Sequence, residues 1–381
     1  MLNTNQMIRE AKAMVGLNEF DRDDVEHNLA RLVDAINSET TITELGEKRL
    51  HTAGVYLLVN RLLLRKFLVD HEDLRNADIG PAIIVCGLPR TGSTKLQRLL
   101  AQDSRLDHMK FWEVIFPLAY PGEADNEIRL KLIAGLEREL GQPQLTSGHN
   151  LESAEPEEEL LLQKADFTVP NIRDHLDLPR WRDEMIRRDS RPRYDVVRQL
   201  IVAHKLQRRK HGAAWVFKNA YAGEHLDIIA ETFPNAKLVF THRDPADQVG
   251  SITALGYKYR QLYAAAGDKI ETGAEYLQYW SGFMNRTLRA CERVPKDRLF
   301  HVRYTDTVKN PQKVVRAIYD FFGLEYTKQA EQSINEYDVR NNQHRHGKHS
   351  YTLEEFGLSR AAVEEAYSGY LKIHGDKVGK S

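Results

Sequence analysis

The sequence predicts an α/β fold: a P-loop-like parallel β-sheet flanked by helices, with a helical extension at the N-terminus and a helical insertion in the middle. Three observations predict it. A short β-branched run, PAIIVCGL (81–88), passes through a loop with Gly87 and Gly92 into the helical pattern STKLQRLLAQD. Further strand-like runs each lead into a helical pattern, the alternation of a parallel sheet covered on both faces. Ahead of the first strand, VEHNLARLVDAI and HTAGVYLLVNRLLLRKFL carry apolar residues at three- and four-residue intervals.

Taken in order, residues 22–76 hold two or three helices, and residues 1–78 form an N-terminal helical segment packed on the core. The α/β domain runs over 79–350. Its strands after the first are AAWVFKN (213–219), AKLVFTHRDP (236–245) and RLFHVRYTD (298–306), followed by HLDIIAETFP, ADQVGSITAL and NPQKVVRAIYDFFG. Between the first two strands lies a charged helical insertion, about 121–212, punctuated by prolines at 143, 156, 170, 179 and 192. Residues 351–381 read as a C-terminal helical tail. Ligands of such sheets sit at the carboxyl ends of the strands, so Arg90, Lys218, Arg243 and Tyr304 are expected on one rim.

Composition narrows the function. A net charge of −1 excludes an electrostatic sleeve for nucleic acid, so any anion site is local. The short basic stretch RRDSRPR (187–193) does not change that. Cys86 and Cys291 have neither metal nor redox spacing and fit a reducing cytoplasm. The N-terminal residues lack the apolar centre of a signal peptide, and no run approaches the ~18 apolar residues of a membrane span. Apolar residues at 41% suffice for a core. The expectation is a soluble cytoplasmic protein of undetermined oligomeric state.

GLPRTGST has the glycine spacing of a nucleotide triphosphatase loop, but Ser93 stands where that loop has its lysine. Backbone amides after Gly92, the Ser93 and Thr94 hydroxyls and the Arg90 fork still make an anion site. Without the lysine, γ-phosphoryl transfer is disfavoured, and a single phosphate or phosphosulfate suits the loop better. A strand-to-helix turn that binds nothing is the plain alternative, and the density of anion donors argues against it. In LVFTHRDPADQVGS, Arg243 ends a strand and Ser251 follows eight residues later. The His-Arg-Asp inside it imitates a kinase catalytic loop, but Val249 occupies the position of the required asparagine.

Strand–PRTGST–helix followed by strand–HRDP–x5–S resembles the two nucleotide-binding motifs of the sulfotransferase superfamily, in its bacterial carbohydrate, lipid and small-molecule branch. The resemblance covers about residues 80–358. It implies the donor 3′-phosphoadenosine 5′-phosphosulfate, with 3′-phosphoadenosine 5′-phosphate as product and no metal. Arg90, Thr91, Gly92, Ser93 and Thr94 would hold the phosphosulfate, and Arg243 and Ser251 the 3′-phosphate. Lys218 would face the transferring group, and Tyr304 would lie near the adenosine. Gly347 and Lys348, in GKHSYTLEEFGL (347–358), would lie near the 3′-phosphate. The insertion would form the acceptor cleft.

Catalysis would then consist of in-line positioning, charge stabilisation by Arg90 and Lys218, and proton removal from a hydroxyl or amine acceptor. Relatives often place a histidine four residues after the strand lysine, and here Ala222 stands there. Glu113, where tyrosine-directed relatives carry a catalytic glutamate, ranks first as base, and His149 second. Glu155, Glu157 and Glu158 follow Pro-Glu-Glu relatives in which this run lines the acceptor cleft. His225 reads as structural, and Trp181 as the core anchor of a cap or lid. Two other readings stay open: a small-molecule kinase with an atypical loop, and a catalytically inactive nucleotide-binding scaffold. The acceptor, whether small molecule, carbohydrate or lipid, is not legible.

Overall fold

The structure is a computed structural model and describes residues 1–140, 153–170, 172, 175–208, 211–265, 267–341 and 351–378. At its centre is a parallel sheet of β1 (Ala82–Gly87), β2 (Leu106–Asp107), β3 (Ala214–Asn219), β4 (Ala236–His242) and β5 (Leu299–Arg303). The strand order is β2-β3-β1-β4-β5. From β1 the chain goes first to β2 and β3 on one side and then back past β1 to β4 and β5 on the other. That reversal opens a crevice at the carboxyl end of β1, where ligands of open α/β sheets bind. The register sets the rim: Val85 lies opposite Lys218, and Gly87 opposite Thr241.

β1 is buried along its whole length, the mark of a central strand covered on both faces. Its side chains alternate between two cores. Ile83 and Val85 face one built from Leu96, Leu99 and Leu100 of α4 (Ser93–Leu100) and Val315 and Ile318, while Ala82, Ile84 and Cys86 face the other. The expected strands are present, and the two-residue β2 is an addition to them. It carries no periodicity of its own and exists only because Leu106 and Asp107 pair with Ala214 and Trp215.

The N-terminal segment comprises α1 (Thr4–Val15), α2 (Val25–Glu39) and α3 (Glu44–Asp70). A buried arginine, paired within the segment, joins it to the rest through Ala165 and Asp166. Arg61 on α3 donates from Nε and Nη2 to the two oxygens of Asp21, at 2.6 and 2.7 Å, and from Nη1 to the Ala165 carbonyl at 3.0 Å. Helix α5 (Phe111–Ile115) lies just ahead of the insertion, which holds α6 (Glu127–Leu140), α7 (Leu160–Gln163), α8 (Pro179–Arg187) and α9 (Arg191–Gln207). Trp181 is buried, its indole N–H reaching the Val169 carbonyl.

After β3 come α10 (Leu226–Thr232), α11 (Pro245–Arg260) and α12 (Lys269–Cys291). The Asp of HRDP plays a structural role. Asp244 caps α11, accepting from the amides of Ala246 and Asp247, and pairs with Arg360 at 3.0 Å. Past β5, α13 (Tyr304–Lys309), α14 (Pro311–Phe322) and α15 (Lys328–Arg340) close one face, and α16 (Arg360–Ala366) and α17 (Ser368–His374) form the tail. Among the described residues no helix is long and apolar enough to cross a membrane.

Candidate functional site

The loop between β1 and α4 is held by its own hydroxyls. The Thr91 hydroxyl is buried, donates to the Leu88 carbonyl at 2.6 Å and meets the Thr241 hydroxyl at 2.6 Å. Thr91 therefore shapes the loop with its side chain and leaves only its backbone to a ligand. Gly92 is required by its conformation (φ 82°) and by space: a Cβ there would lie 2.8 Å from the Tyr304 ring. Arg90 also has a positive φ, 69°, which costs an L-residue roughly 1–2 kcal/mol. No side chain among the described residues caps α4, so its first-turn amides remain available to an anion.

Two arginines meet behind this loop. Arg243 donates from Nη1 to the Arg90 carbonyl at 2.8 Å and lies over the Tyr304 ring at 4.4 Å. Arg90 donates from Nε to the Ser251 hydroxyl at 3.1 Å. Burial, and then the nearby Arg243 charge, push Arg90 below the usual arginine value. Two like charges held together in a partly dehydrated corner are stabilised by a bound anion. The expected Arg243–Ser251 pair thus reaches the loop directly, with Arg90 between its members.

Lys218, at the end of β3, is 3% exposed. Its Nζ donates to the Thr94 hydroxyl at 3.0 Å and lies 2.9 Å from a Glu158 oxygen and 3.9 Å from Glu157. The bridge between Lys110 and Pro156 brings these glutamates beside the loop, and Gln97 of α4 donates to the Glu157 carbonyl at 2.9 Å. Glu159, next in sequence, turns inward, and burial pushes its carboxyl up to about 8.

Arg90, Ser93, Thr94, Lys218, Glu157 and Glu158 line one end of a cavity of about 320 Å³. Its walls are largely apolar and aromatic. They come from α3 (Tyr56, Leu57), α5 (Phe111, Val114, Ile115) and α11 (Ile252, Leu255, Tyr259), together with Leu136, Tyr221 and Tyr263. The insertion therefore supplies only part of the cleft. His175 completes the wall, stacked on Tyr259 with ring centroids 5.7 Å apart, and its burial lowers its value to about 3.

Glu113 is not among these residues. It sits on α5 with its neighbours Phe111, Val114 and Ile115 in the cavity wall, while its own carboxylate accepts from the Lys110 amide at 2.8 Å and faces His204 at 3.8 Å. It is a helix cap, because the face of α5 toward the cavity is taken by apolar side chains. Glu155 is engaged elsewhere, accepting from the Tyr337 hydroxyl at 2.9 Å. His225 lies in the core beside Ser190 and Arg193, at 3.3 and 3.2 Å. His149, Gly347 and Lys348 lie outside the described residues. Sequence reasoning misses His175, Tyr259 and the α3 wall. For Tyr259 a signal exists, two turns beyond Ser251 on the same helix; for α3 there is none.

A sulfotransferase family model matches residues 81–328. No curated protein matches the chain. Among solved structures, the sulfotransferase STF1 of Mycobacterium tuberculosis H37Rv is 26% identical with a TM-score of 0.80, covering 97% of this chain and 99% of that one. The sulfotransferase STF9 of Mycobacterium avium is 23% identical with a TM-score of 0.85, covering 98% and 97%, a likeness of fold. Both superpositions take in nearly the whole chain, helical additions included. Because the family match spans the loop, Lys218, the Arg243–Ser251 pair and Tyr304 alike, the chain belongs to the sulfotransferase family.

Proposed function

We propose that the chain transfers a sulfuryl group from 3′-phosphoadenosine 5′-phosphosulfate to a hydroxyl of a lipophilic small molecule. The observation that carries this reading is that the anion corner and a carboxylate open into one apolar cavity, with Glu158 2.9 Å from Lys218. The residues fit the donor. The uncapped start of α4 with Ser93, Thr94 and Lys218 suits the phosphosulfate end, and the paired guanidiniums of Arg90 and Arg243 with Ser251 suit a second, separate phosphate.

The donor supplies an activated sulfuryl group whose transfer is in-line and loose, with charge on the equatorial and leaving oxygens. Arg90, Lys218 and the α4 amides stabilise that charge from fixed positions. In a loose transition state the acceptor oxygen has formed little bond, so its proton leaves late and a carboxylate is basic enough to take it. Glu158 is the general base on geometry: it lines the cavity and stands beside the lysine that faces the transferring group. His175 borders the acceptor as a neutral aromatic wall. The lining favours an aromatic or aliphatic alcohol over a carbohydrate, whose many hydroxyls would be left without partners against Leu57, Ile115, Leu136 and Leu255.

The test is nucleotide titration of the purified protein, followed by transfer of labelled sulfate to phenols, aliphatic alcohols and sugars. Tight binding of 3′-phosphoadenosine 5′-phosphate over AMP and ATP without magnesium, and label appearing on the lipophilic alcohols, are the expected results. Magnesium-dependent preference for ATP would return the loop to the kinases. Label confined to sugars would overturn the acceptor class.

A further inference from the structure

Apart from the cavity, three imidazoles meet at the edge of the sheet. His242 ends β4, His301 lies in β5 and His374 ends α17, so the three come from elements distant in sequence. One ring nitrogen from each lies within 4.8 Å of the other two. His242 Nε2 and His301 Nδ1 are 2.8 Å apart, and ring centroids are separated by 4.8 to 5.3 Å. His374 Nδ1 is buried and has no hydrogen-bond partner among the described residues. A buried donor or acceptor left without a partner calls for an explanation, and an ion is one of the few available.

We propose that His242, His301 and His374 form a binding site for a divalent metal of the zinc type, fastening the C-terminal helix α17 to β4 and β5. Three neutral imidazoles are a zinc donor set, with the fourth position left to water. Tetrahedral ligation with bonds of about 2.0–2.1 Å holds nitrogens roughly 3.3 Å apart. The His242–His301 pair is already at that scale, and His374 closes by about 1.5 Å through a side-chain rotation. His242 has the supporting contact metal-bound histidines use: its Nδ1 lies 2.9 Å from the Tyr370 hydroxyl, which leaves Nε2 to point at the ion. Lys377 and Arg303 face the cluster and oppose a dication, while Asp376 offsets part of that charge.

The site lies beside the donor corner, since His242 directly precedes Arg243, and Asp244 holds the tail through Arg360. Clamping α17 therefore restrains the same strand end that presents Arg243.

The experiment uses the full chain, free of any affinity tag and stripped with chelator. Zinc alone is titrated by calorimetry, bound metal is counted by mass spectrometry, and unfolding is followed with and without zinc. One equivalent per chain is expected, with Tm raised by roughly 3 °C at about a hundredfold excess over Kd. His374→Ala is expected to weaken binding by more than about tenfold. A variant lacking His344, His346 and His349, another histidine-rich stretch of the sequence, is expected to bind as the parent does. No bound zinc in the parent chain, or binding that survives His374→Ala and disappears with the other three histidines, would overturn the proposal.

Discussion

Lys218 and Glu158 meet at 2.9 Å between the phosphate loop and the apolar cavity, with the lysine also bonded to Thr94. In the proposed reaction one group of this pair serves the donor and the other the acceptor. Their contact marks where the two substrates of the proposed reaction would join.

Glu158→Gln is expected to lower kcat by about 10²–10⁴-fold, the usual worth of a positioned base, while 3′-phosphoadenosine 5′-phosphate binding changes little. Glu113→Gln is expected to do the reverse of what a base would do. It removes a first-turn charge while its amide oxygen still accepts from the Lys110 amide, a cost of about 0.3–1 kcal/mol in stability, and leaves kcat within a fewfold. Steady-state kinetics and denaturant unfolding of both variants separate the two assignments, and a larger kcat loss for Glu113→Gln would reinstate it.

Arg243→Ala is expected to remove a charge-assisted contact to the second phosphate, worth about 1.5–3 kcal/mol or roughly 10–150-fold in affinity. The loss should fall on the bisphosphate and spare AMP, because only the bisphosphate reaches the Arg243–Ser251 corner. Equal weakening of both nucleotides, measured by calorimetry, would mean that Arg243 acts only by supporting the Arg90 carbonyl.

Glu159 gives a pH dependence of defined sign. Its carboxyl is raised to about 8 by burial, beside Glu158, Lys218 and Tyr194. The folded state therefore keeps the proton that the unfolded chain releases above about 4.5. Stability from this group is fully present below that value and is lost as pH rises through about 8. Glu159→Gln is expected to raise Tm at pH 8 relative to the parent, with the advantage shrinking toward pH 5. A constant difference across that range would contradict the buried, protonated carboxyl.

Asp21→Asn removes the bidentate carboxylate of the buried Arg61, leaving Asp166 at 3.6 Å as its remaining counter-charge, and is expected to destabilise the chain by about 1.5–3 kcal/mol. Because α3 also carries Tyr56 and Leu57 of the cavity wall, loosening it should raise the acceptor KM more than it changes donor affinity. Denaturant unfolding and the two KM values read the effect.

The amino-acid sequence alone determined the strand–loop–helix unit and the main strands along the chain, though not their order in the sheet, and it put Arg90, Lys218, Arg243 and Tyr304 at one rim. These are local matters: β-branched runs and glycine spacing act within a few residues, and parallel strands all end on the same side. Which carboxylate faces the cavity was a tertiary decision. Glu113 and Glu158 are both acidic residues near helix starts, and only the rotation of α5, with Phe111, Val114 and Ile115 turned to the cavity, sends Glu113 to its cap. The Lys110–Pro156 bridge then delivers Glu158 to Lys218. The cavity walls and the three-histidine cluster likewise join residues from across the chain. Contacts of that range depend on how whole elements pack, and no spacing along the chain encodes them.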